Sequence, residues 1–284
     1  MSPEEWVIAV LLLVSVNSAL VGSFLLLRKM SMVTDAMSHA VLFGIVVAIL
    51  LSGSVNSFFI LVGGTLACLA TAYLSQFLVE KGKVQEDASL GISFTWLFAM
   101  GVILISLFAR QVDIDQDCVL HGEIIYVPLE TVELFGRDIG PKAFWELLVV
   151  FFFNLSLLIL GRRNLTALAF DQTHARLSGL KPRLWNFLLL TAVSLTSVAS
   201  FDAVGVILIV CLIVTPAATA FLFARSVHAM IASALIIGIV SVFSGYEVAS
   251  LFDASVSASV AMMSFFLFLL VAFAGPVVFK QKML

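Results

Sequence analysis

Residues 203–223 read AVGVILIVCLIVTPAATAFLF, an apolar run with no charged side chain. As one α-helix, such a run is long enough to cross a hydrocarbon core about 30 Å thick. Runs of this kind recur along the whole chain, which is 62% hydrophobic and only 12% charged. Soluble domains carry about twice that share of charged residues, so the composition predicts an integral membrane protein.

Nine such runs divide the chain of 284 residues. We therefore predict an all-α, polytopic transmembrane bundle with about nine spans, eight being the alternative, in a single domain over residues 1–284. The predicted spans are residues 6–27, 36–52, 57–78, 88–109, 144–161, 184–200, 203–223, 228–245 and 257–279.

The basic residues predict the orientation of the chain, because Lys and Arg accumulate on the cytoplasmic side of a membrane. With nine spans, only three of the fifteen basic residues, Arg110, Arg137 and Lys142, fall on one side, and the other twelve fall on the opposite side. The N-terminus is then expected outside and the C-terminus in the cytoplasm. An eight-span arrangement would place one group of charges on the wrong side.

Two connecting segments are longer than a short turn requires. The external segment, residues 110–143, carries seven acidic residues against three basic ones. Its negative surface suits the attraction of cations or the docking of a basic partner, while an ordinary solvated loop is the alternative. The cytoplasmic segment, residues 162–183, contains the pattern of a short amphipathic helix, with Asp171 near its start and Gly179 as its stop.

The strongest candidate for a metal-binding site is a pair of ionisable residues at the start of the predicted span 36–52, Asp35 and His39. Residues four apart share one face of a helix, so the carboxylate and the imidazole converge. Such a pair suits Zn²⁺, Mn²⁺ or Fe²⁺, although two ligands do not complete a coordination shell. The alternatives are that Asp35 caps the start of the helix and that His39 is a polar residue without a special role.

Two further observations concern bending of a helix and the hydrolysis of ATP. Pro216 lies inside an apolar run, where a proline removes one helical hydrogen bond and usually kinks the helix, so we regard it as a candidate gating residue. No Walker A pattern, GxxxxGK followed by Ser or Thr, occurs in the sequence. Any ATP is therefore expected to be hydrolysed by a separate partner chain.

Several stretches, taken together, resemble the permeases of bacterial ABC importers for zinc, manganese and iron. The stretch TDAMSHA at 34–40 follows an arginine-containing turn and is similar to the family's Gly-Asp-Ala-Leu-Ser-His-Ala. Further similar stretches follow in family order: QEDASLGI at 85–92, FDQTHARLSG at 170–179 and VGVILIVCLIVTPAATA at 204–220. Residues 118–124 and 136–141 look most like the manganese/iron-type permeases of spirochaetes and chlamydiae. Residues 253–258, DASVSA, lack the prolines and glycine that the family often has before the last span.

The resemblance implies a fold like that of type II ABC importer permeases and assigns roles to particular residues. Asp35 and His39 match the family's metal-coordinating pair in the translocation path. Residues 170–179 match the coupling helix that docks in a groove of the ATPase, which implies a coupling role for Phe170, Asp171, Ala175 and Gly179.

The expected function is therefore that of a permease subunit, not an enzyme, in the inner membrane of a bacterium. The resemblance implies an ATP-binding subunit, an extracytoplasmic metal-binding protein and a second permease chain, identical or paralogous, as partners. No nucleic acid and no permanently bound cofactor are expected, and the cargo is manganese, iron or zinc. The alternatives are a permease for a metal chelate or siderophore and an ion-gradient-driven secondary transporter. The latter would be expected to show repeated intramembrane acids or inverted repeats.

Overall fold

A computed structural model of the chain describes residues 2–53, 57–108, 124–134, 137–170, 177 and 179–279. Long helices dominate these residues. They are α1 (Pro3–Leu27), α2 (Met32–Ser52), α3 (Ser57–Gly82), α4 (Glu86–Phe108), α5 (Lys142–Phe170), α6 (Pro182–Phe223), α7 (Val227–Phe252) and α8 (Val256–Phe279).

Nine helical segments among the described residues are long and apolar enough to cross a membrane, which confirms the predicted bundle. Eight helices supply nine spans because α6, with 42 residues, contains two of them, Pro182–Phe201 and Ala203–Phe223. As one straight helix, α6 would be about 63 Å long, twice the thickness of the hydrocarbon core.

The contacts of α6 show how it divides. Phe24 of α1 lies in one buried cluster with Leu189, and the backbone of Gly22, also in α1, touches Ile213. Leu189 and Ile213 would lie about 36 Å apart on a straight helix, yet both pack against the same part of α1. The chain therefore reverses within α6, where Gly205 has the non-helical dihedrals φ 77° and ψ 168°. Pro216, predicted as the site of a kink, is not the site of this break, which lies at Gly205.

Helix α1 occupies the centre of the bundle, where it packs on α5, α6 and α7. Its apolar central part is 72% buried, the largest share among the described spans. Two close approaches help to bury it. Gly22 lies against the backbone of Ile213, and Gly238 of α7 lies against the Ser15 hydroxyl. Glycine is needed at both positions, because a side chain would occupy the space of the neighbouring atoms.

Helix α5 continues beyond its predicted end. The apolar run stops at residue 161, but the helix extends through Arg162 and Arg163 to Phe170. Leu165 and Leu168 are each 2% exposed, so the extension packs against the bundle. Residues 162–170 are therefore helical, and the prediction that they belong to a connecting loop was wrong. Phe170 ends α5 and does not open a separate short helix.

The long segment between α4 and α5 contains structure that was not predicted. A 3₁₀ helix, Ile124–Leu129, is followed by two antiparallel strands, β1 (Thr131–Leu134) and β2 (Arg137–Pro141). Ile124 is 2% exposed and joins the main hydrophobic cluster, and Gly140 lies against the Trp6 ring. This hairpin therefore covers the end of the bundle at which α1 begins. Of the seven acidic residues of this segment, Asp113, Asp115, Asp117 and Glu123 lie outside the described residues, and so do residues 118–123 of the family-like stretch.

Candidate metal site

Asp35 and His39 lie in the first part of α2. The helix begins at Met32 after Ser31 as its N-cap residue, which places Asp35 within the first turn. Asp35 is therefore not the N-cap, and that alternative is wrong. Its carboxylate still benefits from the first turn, where the partial positive charge of the helix dipole favours an anion.

The two side chains converge as their spacing predicted. Nε2 of His39 lies 3.7 Å from Oδ1 of Asp35. A tetrahedral Zn²⁺ ion with ligand bonds of about 2.1 Å separates neighbouring donor atoms by about 3.4 Å. A closure of a few tenths of an ångström would therefore let one ion contact both atoms. The pair has the donor types and nearly the spacing of two metal ligands.

The described residues bring no third ligand to the pair. Among the residues that the structure describes, no group of three or more His, Cys, Asp and Glu side chains is placed to hold a metal ion. Ser38 is 2% exposed, and its hydroxyl donates to the Thr34 carbonyl at 2.9 Å. The pair therefore supplies half of a tetrahedral shell at most.

The pair opens towards the outside of the single chain. The side chains of His39 and Asp35 are 35% and 46% exposed. Ionisable groups in a membrane span are costly against lipid and face protein or water-filled cavities. This part of α2 is therefore poorly suited to contact with lipid.

Two aromatic rings of α4 adjoin His39, and sequence reasoning missed both. Phe94 stacks on the imidazole with ring centroids 5.5 Å apart and an interplanar angle of 26°. Phe98 meets it edge-on at 6.0 Å and 80°. Their spacing of four residues was visible in the sequence, but the pairing of α4 with α2 was not.

The face of α2 opposite Asp35 and His39 is buried and contacts α3 and α6. The thiol of Cys68 in α3 donates to the Met37 carbonyl at 3.4 Å, and the Ser194 hydroxyl lies 3.6 Å from the Met37 sulfur. All three side chains are fully buried. They tie α2 to α3 and α6, so the exposed face with Asp35 and His39 stands on a firmly packed helix.

A second polar group, also missed, links three helices inside the bundle. Asn154 of α5 donates its side-chain amide to Asn17 of α1 and to Thr196 of α6, at 2.9 and 2.8 Å. Both asparagines are at most 2% exposed. The signal in the sequence was an asparagine in each of two apolar runs, since buried polar residues in a span usually find partners on other helices.

The residues predicted to couple to an ATPase are described only in part. Phe170 is 72% exposed at the end of α5, and Gly179 adopts φ 79°, with nothing within 4 Å of where a Cβ would lie. A left-handed glycine is typical of the residue after a helix, and the helix stop at Gly179 stays a prediction. Asp171 and Ala175 lie outside the described residues, so the coupling helix stays a prediction.

Charged side chains also join helices at the end of the bundle near residue 28. Arg28 follows α1, is half-buried and donates to Oδ1 of Asn186 at 2.6 Å. Burial lowers the pKa of the Arg28 guanidinium from its ordinary value. Arg162 and His228 lie 3.2 Å apart between α5 and α7. These contacts join Arg28 and Arg162, two of the twelve basic residues predicted on the cytoplasmic side, to neighbouring helices.

A family model and individual known proteins match nearly the whole chain. The chain matches the model of the ABC 3 transport family over residues 4–275. It is 43% identical over 265 residues to the manganese transport system membrane protein MntD of Bacillus subtilis (strain 168), covering 93% of this chain and 89% of that protein. It is 37% identical over 270 residues to the zinc transport system membrane protein TroD of Treponema pallidum (strain Nichols), covering 95% and 73%.

A solved structure shows the same fold. The chain superposes on a chain of PsaBC from Streptococcus pneumoniae, solved in complex with Fab, with a TM-score of 0.82 at 25% identity. The match covers 99% of this chain and 96% of that chain.

Proposed function

Because this chain belongs to the ABC 3 transport family, it is the membrane-spanning permease of an ATP-binding-cassette importer, and we propose that its cargo is a divalent transition-metal ion: manganese, iron or zinc. The observation that carries the cargo assignment is the pair of Asp35 and His39, with 3.7 Å between donor atoms. The names of MntD and TroD, a manganese and a zinc system, support the same class of cargo.

The subunit works with other chains. Since its sequence has no Walker A pattern, ATP hydrolysis belongs to a separate ATP-binding subunit. That subunit docks at residues 170–179, and an extracytoplasmic metal-binding protein delivers the ion at the opposite end. The N-terminus lies outside and the C-terminus in the cytoplasm of a bacterial cell, in accordance with the distribution of basic residues.

A second permease chain completes the metal site. The exposed carboxylate and imidazole on α2 are unsuited to lipid, and two ligands are too few for an ion. A second copy that faces the same surface would add its own pair, giving two carboxylates and two imidazoles. The pathway then lies between the two permeases, and ATP binding and hydrolysis move them between outward-open and inward-open states.

The test is metal uptake by cells or vesicles that contain the assembled importer. Asp35→Ala and His39→Ala are each expected to abolish uptake of radioactive Mn²⁺ or Zn²⁺ while the ATPase still co-purifies. Glu86→Ala is the matched control, because Glu86 is an exposed acid in the first turn of α4. Normal uptake by both α2 variants would refute the ligand assignment.

The same variants bear on the choice of metal. Imidazole suits Zn²⁺, whereas harder ions such as Mn²⁺ rely more on oxygen ligands. Any uptake that remains in His39→Ala should therefore be of Mn²⁺ and not of Zn²⁺, whereas Asp35→Ala should leave neither.

A further inference from the structure

We propose that Phe94 of α4 is a positioning residue for His39, whose imidazole plane it fixes so that Nε2 faces Asp35. Binding of metals that depend on a nitrogen ligand is strengthened as a result. The inference rests on the proposed function, in which Asp35 and His39 bind the cargo ion.

The geometry around His39 restricts the imidazole in two directions. Phe94 lies nearly parallel to the ring, and Phe98 stands nearly perpendicular to it. Rotation about χ2 of a histidine is normally broad and soft. Rotation out of this plane would give up the parallel contact with Phe94 and the edge-on contact with Phe98 together. The two rings therefore favour the imidazole plane in which Nε2 lies 3.7 Å from the Asp35 carboxylate.

The close approach of α4 to α2 brings these rings within reach. Gly101 of α4 lies against the backbone of Phe43, where a Cβ would be 3.1 Å from the Phe43 nitrogen. Phe43 is one turn beyond His39 on α2, and Gly101 is about one turn beyond Phe98 on α4. The two helix faces therefore run alongside each other, and the aromatic contact is part of a continuous packing surface.

Orientation of the imidazole matters because a metal ion needs both donor atoms at once. A ring free to rotate would have to be ordered when the ion binds, which costs affinity. Loss of a hydrogen-bonded partner that orients a metal ligand typically weakens binding 10- to 100-fold, and we expect a ring contact to act at the lower end of that range. The effect should be larger for Zn²⁺, which favours imidazole, than for Mn²⁺, which favours oxygen.

Substitutions at Phe94 separate orientation from simple packing. Phe94→Leu keeps an apolar side chain but removes the flat face, whereas Phe94→Tyr keeps the ring. Phe108→Leu is the control, because Phe108 belongs to the same helix and is 65% exposed. His39→Ala is measured alongside as the reference for complete loss of the nitrogen ligand.

The experiment is a titration of the assembled importer, in lipid nanodiscs, with Zn²⁺ and Mn²⁺ against a competing chelator. Phe94→Leu is expected to raise the Zn²⁺ dissociation constant roughly tenfold, at the low end of the range for orienting groups, and that of Mn²⁺ clearly less. Phe94→Tyr should bind Zn²⁺ like the unchanged protein, and so should Phe108→Leu.

Each other outcome overturns the positioning role. If His39→Ala weakens Zn²⁺ binding and Phe94→Leu does not, His39 remains a ligand but is not oriented by Phe94. Equal losses for both metals without recovery in Phe94→Tyr would identify Phe94 as a packing residue. Unchanged Zn²⁺ binding in His39→Ala would refute both the positioning role and the ligand assignment on which it rests.

Discussion

The side-chain amide of Asn154 donates to Oδ1 of Asn17 at 2.9 Å in the interior of the bundle, joining α5 to α1. The amide of Asn17 in turn donates to the carbonyls of Leu13 and Leu147. In a membrane interior, hydrogen bonds of this kind select which helices associate, because lipid offers their polar atoms no partner.

Asn154→Leu is therefore expected to lower the free energy of unfolding by about 1–2 kcal/mol, since it removes two interhelical hydrogen bonds without changing the side-chain volume greatly. Unfolding of the detergent-solubilised protein measures the loss. Ser156→Ala is the control, because the exposed Ser156 hydroxyl bonds only within its own helix, to Phe153. Equal stability of Asn154→Leu and the unchanged protein would show that the network is unimportant for folding.

Gly205→Ala is expected to destabilise the fold by about 1–3 kcal/mol, because φ 77° with ψ 168° is a region that essentially only glycine adopts. Gly91→Ala is the matched control, with an open space where the Cβ would lie. Alanine in the helix at residue 91 should be neutral or stabilise by up to about 1 kcal/mol. Thermal unfolding that ranks the two variants equally would contradict the special role of Gly205.

Gly179→Leu is expected to reduce metal uptake and co-purification of the ATPase together, because leucine opposes the left-handed turn and adds bulk to the proposed docking surface. Gly179→Asn separates the two causes, since asparagine tolerates this conformation better than leucine. Recovery in the asparagine variant would assign the defect to the turn. Full association and full uptake by Gly179→Leu would make the segment a passive connector.

Pro216→Ala tests the predicted gating role. Proline leaves the carbonyl one turn earlier without its helical donor, which permits bending there. The variant should remain assembled but import metal more slowly, because alanine restores the hydrogen bond and stiffens the helix. Pro3→Ala is the control, since Pro3 is at the start of α1, where the missing N–H has no helical partner to lose. Uptake at the normal rate would remove Pro216 from the gate.

The orientation of the chain predicts the outcome of surface labelling. In a variant with Cys118→Ser and Ser2→Cys, a membrane-impermeant maleimide should label residue 2 in spheroplasts. A green fluorescent protein fused after Leu284 should fluoresce, because it folds in the cytoplasm. The opposite labelling pattern would invert the arrangement derived from the basic residues.

The spans were predictable because hydrocarbon imposes a length and an apolar composition on every helix that crosses it. Helix ends were less predictable. Hydropathy marks where the apolar core stops, whereas α5 continues through Arg162 and Arg163 because Leu165 and Leu168 beyond them pack against the bundle. The reversal within α6 was predicted between residues 200 and 203, and the structure confirms it. Its placement at Gly205 was not predicted, because a glycine in an apolar run more often serves close packing, and its φ depends on the fold around it.

The candidate site was partly predictable for a similar reason. The spacing of Asp35 and His39 determines that they share a helix face, so their convergence followed from the sequence alone. The rings of Phe94 and Phe98 come from another helix, and their contact depends on which helices pair. That information lies in packing at positions such as Gly101, where no local pattern in the sequence reveals the neighbour.

The central position of α1 has a consequence for biosynthesis. Among the described spans, α1 is the most buried and is synthesised before the helices that bury it, so Asn17 must wait for Asn154, which follows 137 residues later. Until then, the polar groups of α1 enter the bilayer without the neighbours that they have in the finished bundle. A nascent chain truncated before α5 would present this helix to the quality-control proteases of the membrane. Burial of α1 therefore distinguishes the completed bundle from a truncated chain.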